Sequence, residues 1–173
     1  MTALRVVAAI VVALILQSVV ARLVGNGQVP VDLVLVSVVS TALLYGRVAG
    51  LLGGSLAGLA QDALSGGVLG IGGLANSVVG FFTGMIGTQF IVTQAVPRFL
   101  LYTGATAVHA GIYIGLSVLL GLRRFDRAFV EVTIQALANG VVGVLVFEII
   151  DALPGTRQRW RARRERRRKI RFH

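Results

Sequence analysis

The sequence predicts an all-α integral membrane protein, about six transmembrane helices in one bundle. Two observations carry that class. Hydrophobic residues make up 55% of the 173 and charged residues 14%, with a mean hydropathy of +0.83. A soluble domain is roughly 45–50% apolar and about 25% charged. The apolar residues also gather into six stretches divided by polar or Gly- and Pro-rich breaks. A membrane helix needs about 20 apolar residues, so these spans consume most of the chain and leave no sizeable extramembrane domain.

The first span covers Met1 to Leu23, with Arg5 ahead of the apolar run Val6 to Leu16. A secretory signal peptide has a similar layout, with Val19 and Ala21 as small residues before a cleavage site. A first transmembrane helix is the plainer reading, because the apolar stretch continues through Val19 to Leu23. Gly25, Asn26, Gly27 and Pro30 mark a loop. The second span runs from about Val31 to Tyr45 and is entered by Asp32. Arg47 marks a tight turn, and the third span runs from about Val48 to Leu59, ending at Gln61-Asp62. Both are short for a bilayer, which implies tilt, local thinning or a partly re-entrant path.

Five glycines between Ser65 and Gly73 predict a loop or broken helix. The fourth span covers about Leu74 to Val92. Pro97-Arg98 is expected to interrupt before a fifth span, Phe99 to Leu122. After the charged loop 123–127 a sixth runs from about Ala128 to Leu153, stopped by Pro154-Gly155. The expected organisation is therefore a six-helix transmembrane domain, 1–154, and a basic tail, 155–173. No internal repeat is evident.

The charge sits in that tail, which holds ten Lys or Arg and one acid, whereas the other 154 residues carry seven basic and six acidic groups. The net +10 is thus no sign of a folded basic face for nucleic acid. Basic residues flanking spans favour the cytoplasmic side. The tail then lies inside, and six spans return the N-terminus to the same side with Arg5, Arg47 and Arg98. Arg123, Arg124 and Arg127 fall outside against the rule. Arg159, Arg161, Arg163, Arg164, Arg166, Arg167, Arg168 and Lys169 are expected to bind anionic lipid, a simpler partner beside a bilayer than RNA or ribosomes.

Gly46, Gly50, Gly54 and Gly58 recur every four residues. Such a ridge lets a neighbouring backbone approach closely, with packing inside the bundle preferred over a face for a partner helix. Gly80 with Gly84, and Gly111 with Gly115, offer further small faces. Polar groups at membrane depth are functional candidates. His109 lies mid-span with Thr106 and Tyr113 on adjacent turns, and Glu131, Gln135 and Asn139 form a stripe on the sixth span. They line a polar cavity or, more simply, form an interhelical hydrogen-bond network, with Glu131 pairing to Arg127.

Enzymatic signatures are missing: no Walker loop, no His-Glu-x-x-His, no Gly-x-Ser-x-Gly. The glycine stretch after Asp62 lacks the trailing Lys-Ser/Thr of a phosphate loop. No cysteine is present and only two histidines, which excludes disulfides and zinc-thiolate or iron–sulfur sites. No catalytic residue, metal or cofactor is expected.

The segment Pro30 to Gly84 resembles the rod shape-determining protein MreD family. The residues that carry the likeness are Pro30 and Asp32, then Gly58-Leu59-Ala60-Gln61-Asp62-Ala63-Leu64, Gly67, and Leu69-Gly70-Ile71-Gly72-Gly73-Leu74. Gly72 and Gly73 depart from the family, which often has larger or polar residues there, so no side-chain role carries over. The resemblance implies a non-catalytic component of the bacterial inner membrane that maintains rod shape during lateral peptidoglycan synthesis. It implies MreC as partner, in a wider complex with MreB, RodA and a class B penicillin-binding transpeptidase. The family is also similar in fold to substrate-binding subunits of energy-coupling-factor vitamin transporters, which supplies the alternative of a small-molecule-binding subunit. Gln61, Asp62 and Gly70 are expected to be structural, Asp62 accepting backbone N–H bonds; the sharper alternative makes Asp62 an ion-coupling residue.

Overall fold

Among the described residues of the computed structural model six helices follow in chain order: α1 (Thr2–Val24), α2 (Leu33–Tyr45), α3 (Arg47–Ser65), α4 (Ile71–Gln89), α5 (Ala95–Leu119) and α6 (Ala128–Ala152). The structure describes residues 2–24, 31–89, 94–121 and 128–152, and among these there is no strand. The basic tail and the loop holding Arg123, Arg124 and Arg127 lie outside the described residues. α1, α4, α5 and α6 are long and apolar enough to cross a membrane. α2 has 13 residues, which reach only about 20 Å at the helical rise.

Polarity is arranged as a lipid-facing bundle requires. Leu4, Ile15, Leu100, Val108, Ile134 and Leu145 are exposed, whereas Asp32, Asp62, Asn76, Arg98, Thr106 and Asn139 are buried. The chain is a multi-pass membrane protein.

The α2–α3 hairpin turns on one residue. Gly46 has φ +93°, a conformation that costs other residues strain, and its N–H returns to the Ala42 carbonyl at 2.8 Å. Gly46 is therefore the hinge residue as well as the end of the row that faces α4, where Thr88 and Gly84 lie against it. From Gly50 onward the ridge lies directly against α4, antiparallel. A Cβ at Gly50 would collide with the Gly80 carbonyl, one at Gly54 with the Asn76 carbonyl, and one at Gly58 with the Gly72 carbonyl. Gly84 closes the row against the Arg47 backbone, and Ser55 and Ser77 share a 2.6 Å hydrogen bond across it. Backbones this close gain dispersion contacts that side chains would block.

Three element boundaries differ from expectation. α3 continues through Gln61 and Asp62 to Ser65, ending on Gly66 in the left-handed region. α4 begins at Ile71, so Gly72 and Gly73 are helical; their N–H groups are anchored on Asp62, which offsets the glycine density. Pro97 does not interrupt α5, because it falls in the first turn after the cap Gln94, where an N–H has no helical partner in any case.

α1 packs through Ile10 on Val34, Val38 and Ala57. On the other side Tyr102 of α5 lies on Gly143 of α6 and shares a 2.7 Å hydrogen bond with Ser40 of α2. Val6 and Ile10 lie over Gly53, Thr88 over Gly46, and Arg98 pairs with Glu148 and Asp151. The start of α1, the α2–α3 hinge, the end of α4, the start of α5 and the end of α6 thus share one end of the bundle.

Candidate functional site: a polar cavity in one half of the bundle

Because α2 is short, its N-terminus ends inside the bundle, about 20 Å from the hinge end. It meets α5 at Thr106 and α6 at Asn139, near the middle of both. Unpaired helix-terminal N–H groups are expensive at such depth, and those of Asp32, Leu33 and Leu35 are answered by side chains. The Asp32 carboxylate accepts from the Leu35 N–H at 3.0 Å. Gln17 of α1 accepts from the Leu33 N–H at 2.9 Å and donates to the Val31 carbonyl at 3.1 Å. Asn139 accepts the Asp32 N–H at 2.8 Å and donates to Thr106 Oγ1 at 3.1 Å.

Asp62 does the same for the next helix. It sits in the last turn of α3, yet its Oδ2 accepts the N–H groups of Gly70, Gly72 and Gly73 at 2.9, 3.0 and 3.3 Å. Two of these open α4, so a carboxylate meets the positive end of that helix. Gly70, with φ +107°, takes the turn that brings its N–H round to this acceptor. Gln61 Nε2 lies 3.4 Å from both Asp32 oxygens, which joins the two acidic caps.

Beyond these caps, toward the end of the bundle away from the hinge, a cavity of about 250 Å³ opens between α3, α5 and α6. Asp32, Gln61, Asp62, His109, Tyr113, Glu131 and Gln135 line it. The His109 and Tyr113 rings stack with centroids 6.1 Å apart. His109 Nε2 is buried with no hydrogen-bond partner among the described residues. Glu131 stands exposed at the rim.

The residues singled out from sequence therefore part company. His109, Glu131 and Gln135 face the cavity with Gln61 and Asp62, whereas Asn139 and Thr106 turn to the start of α2. The proposed partner of Glu131, Arg127, lies outside the described residues. Gly80 and Gly84 are packed against α3, but a Cβ at Gly111 or Gly115 would meet nothing within 4 Å. Sequence reasoning missed Gln17, whose only signal was an amide late in an otherwise apolar run. It also missed Arg98 as an ion-pair centre. Arg98 is buried, bonds Glu148 at 3.0 Å and Asp151 at 2.6 Å, and lies 4.3 Å over the Phe147 ring. A buried guanidinium in the first turn of α5 thereby fixes the end of α6.

Chemically, the cavity lining offers carboxylates, amides, an imidazole and the hydroxyls of Ser65 and Tyr113. Among the described residues no three of His, Cys, Asp and Glu are placed to hold a metal ion.

A family model described as rod shape-determining protein MreD matches residues 2–153, which takes in all six helices. Neither the curated proteins nor the solved structures give a match.

Proposed function

The chain belongs to the rod shape-determining protein MreD family, and from that membership we propose that it is a non-catalytic inner-membrane component of the cell-elongation machinery, bound to MreC. Family membership gives the role in rod-shape determination; the single observation that carries the rest is the polar cavity. An open polar cavity suits a protein that holds a partner. With the hinge end and the basic tail cytoplasmic, Arg5, Arg47 and Arg98 lie inside, in keeping with the positive-inside rule. The cavity then opens outward, where a bitopic partner presents chain to it. MreB, RodA and a class B penicillin-binding transpeptidase complete the complex.

Depletion tests this in a rod-shaped host that needs the chain. Cells should round up, and affinity purification in mild detergent should recover MreC. Retention of rod shape after complete depletion overturns the assignment. The same cavity favours one other reading, a small-molecule-binding subunit like those of energy-coupling-factor transporters. Copurification of a small molecule without MreC would select it.

A further inference from the structure

The chemistry of the cavity wall is one-sided. Asp32, Asp62 and Glu131 bring three carboxylates to it, and among the described residues no Lys or Arg lines it. Asp62 spends Oδ2 on the α4 cap, while its Oδ1 receives no hydrogen bond among the described residues. His109 Nε2, buried and unpartnered among them, adds a further nitrogen to the same wall. These groups are dispersed, since no three of them come together closely enough to hold a metal ion. A compact cation would reach one or two of them. A guanidinium reaches several, because its five N–H donors point outward on different sides of one flat group, as Arg98 does in bonding Glu148 and Asp151 together. Its face also stacks on aromatic rings such as the His109–Tyr113 pair.

We propose that the cavity binds a guanidinium group. Asp32 and Asp62 receive its N–H donors at the inner wall, His109 Nε2 accepts one from the side, and Glu131 draws the cation in at the rim. The proposal rests on reading the cavity as a binding site and is independent of which partner supplies the group. Two sources share this chemistry, a soluble guanidinium compound and an Arg side chain of a polypeptide.

The test uses the full chain in lipid nanodiscs, with binding followed by calorimetry. The probes are N-acetylarginine methylamide, its uncharged citrulline counterpart, the lysine counterpart, and methylguanidinium. The arginine probe should bind at least tenfold more tightly than citrulline and several-fold more tightly than lysine. Glu131→Gln should weaken arginine binding several-fold and leave the melting temperature unchanged, because Glu131 is exposed and makes no hydrogen bond among the described residues. Equal affinity for arginine and citrulline, or no arginine binding at all, overturns the proposal. Methylguanidinium binding as tightly as the capped residue identifies a soluble compound. A tenfold gain from the flanking backbone identifies a polypeptide side chain. Rounded cells on depletion combined with a cavity indifferent to guanidinium would remove this proposal and leave the shape-determining role standing.

Discussion

The Asp62 carboxylate accepts the Gly72 N–H at 3.0 Å, and it does so only because Gly72 has no side chain: a Cβ there would fall on Asp62 Oδ1. The acid and the glycine are ten residues apart, on different helices, and each explains the other. The Gly72 departure from the family pattern is thus a requirement of the local packing in this chain.

Asp62→Asn keeps an acceptor for the N–H groups of Gly70, Gly72 and Gly73 and should fold with near-normal stability. Asp62→Leu orphans them, at roughly 1–3 kcal/mol for each buried group left unpaired, and Gly72→Ala should fail in the same way by displacing the carboxylate. Thermal stability in detergent measures all three. A stable Asn variant that binds MreC but leaves cells round would assign Asp62 an ion-coupling role instead.

Glycine substitutions should divide by what their Cβ would meet. Gly54→Ala drives a methyl group into the Asn76 carbonyl and should cost about 1–3 kcal/mol as overpacking. Gly104→Ala meets nothing within 4 Å and should be neutral, or stabilising by up to about 1 kcal/mol from helix propensity. Equal melting temperatures for the two variants would refute the α3–α4 contact.

Arg98→Ala leaves the Asp151 carboxylate, 24% exposed, without its 2.6 Å ion-pair partner. Breaking a fully buried ion pair costs roughly 3–5 kcal/mol. The loss here should be smaller, because the Glu148 side chain is 58% exposed and stays hydrated. Arg98→Lys should recover only part of it, since one ammonium does not span two carboxylates on successive turns. Full recovery by Lys would show that charge alone matters at this position.

Orientation is accessible because the chain has no cysteine. Val96 and Leu120 are exposed at opposite ends of α5. In intact spheroplasts an impermeant maleimide should label Leu120→Cys and spare Val96→Cys. The reverse pattern would place the cavity mouth in the cytoplasm.

A peptide of residues 155–173 should bind anionic vesicles far more tightly than neutral ones at low salt, each Lys or Arg near the surface contributing about 1 kcal/mol. Similar binding to both compositions would remove the lipid role from Arg159 to Lys169.

The fold class was legible because hydropathy counts along a chain whatever its packing. The Gly50–Gly54–Gly58 ridge was legible for a related reason, since a period of four on a helix is a face. The ends of the elements were hidden. Gln61 and Asp62 look like a turn in one dimension, and only the α4 N-terminus folding back beside them lets α3 run on to Ser65. Pro97 reads as a break until the cap at Gln94 places it in a first turn. Gln17 and Asn139 are 122 positions apart in the sequence, so their joint service to the start of α2 has no local signature. His109, Glu131 and Gln135 were found because ionisable and amide groups are conspicuous in apolar helices. Their common cavity needed the antiparallel placement of α5 and α6.

Interlocked carbonyls at Gly50, Gly54 and Gly58 also decide how the molecule is able to move. A ratchet of α3 along α4 would have to lift both backbones apart at every tooth, so the two helices travel as a single stiff plate. The seam toward α5 and α6 is made differently, from side chains: Leu35, Val39, Val79, Ala105 and Phe147 pack across it beside the Ser40–Tyr102 and Asp32–Asn139 hydrogen bonds. A swing of the α5–α6 pair against that plate would repack side chains without parting two interlocked backbones, and the cavity lies in its jaw.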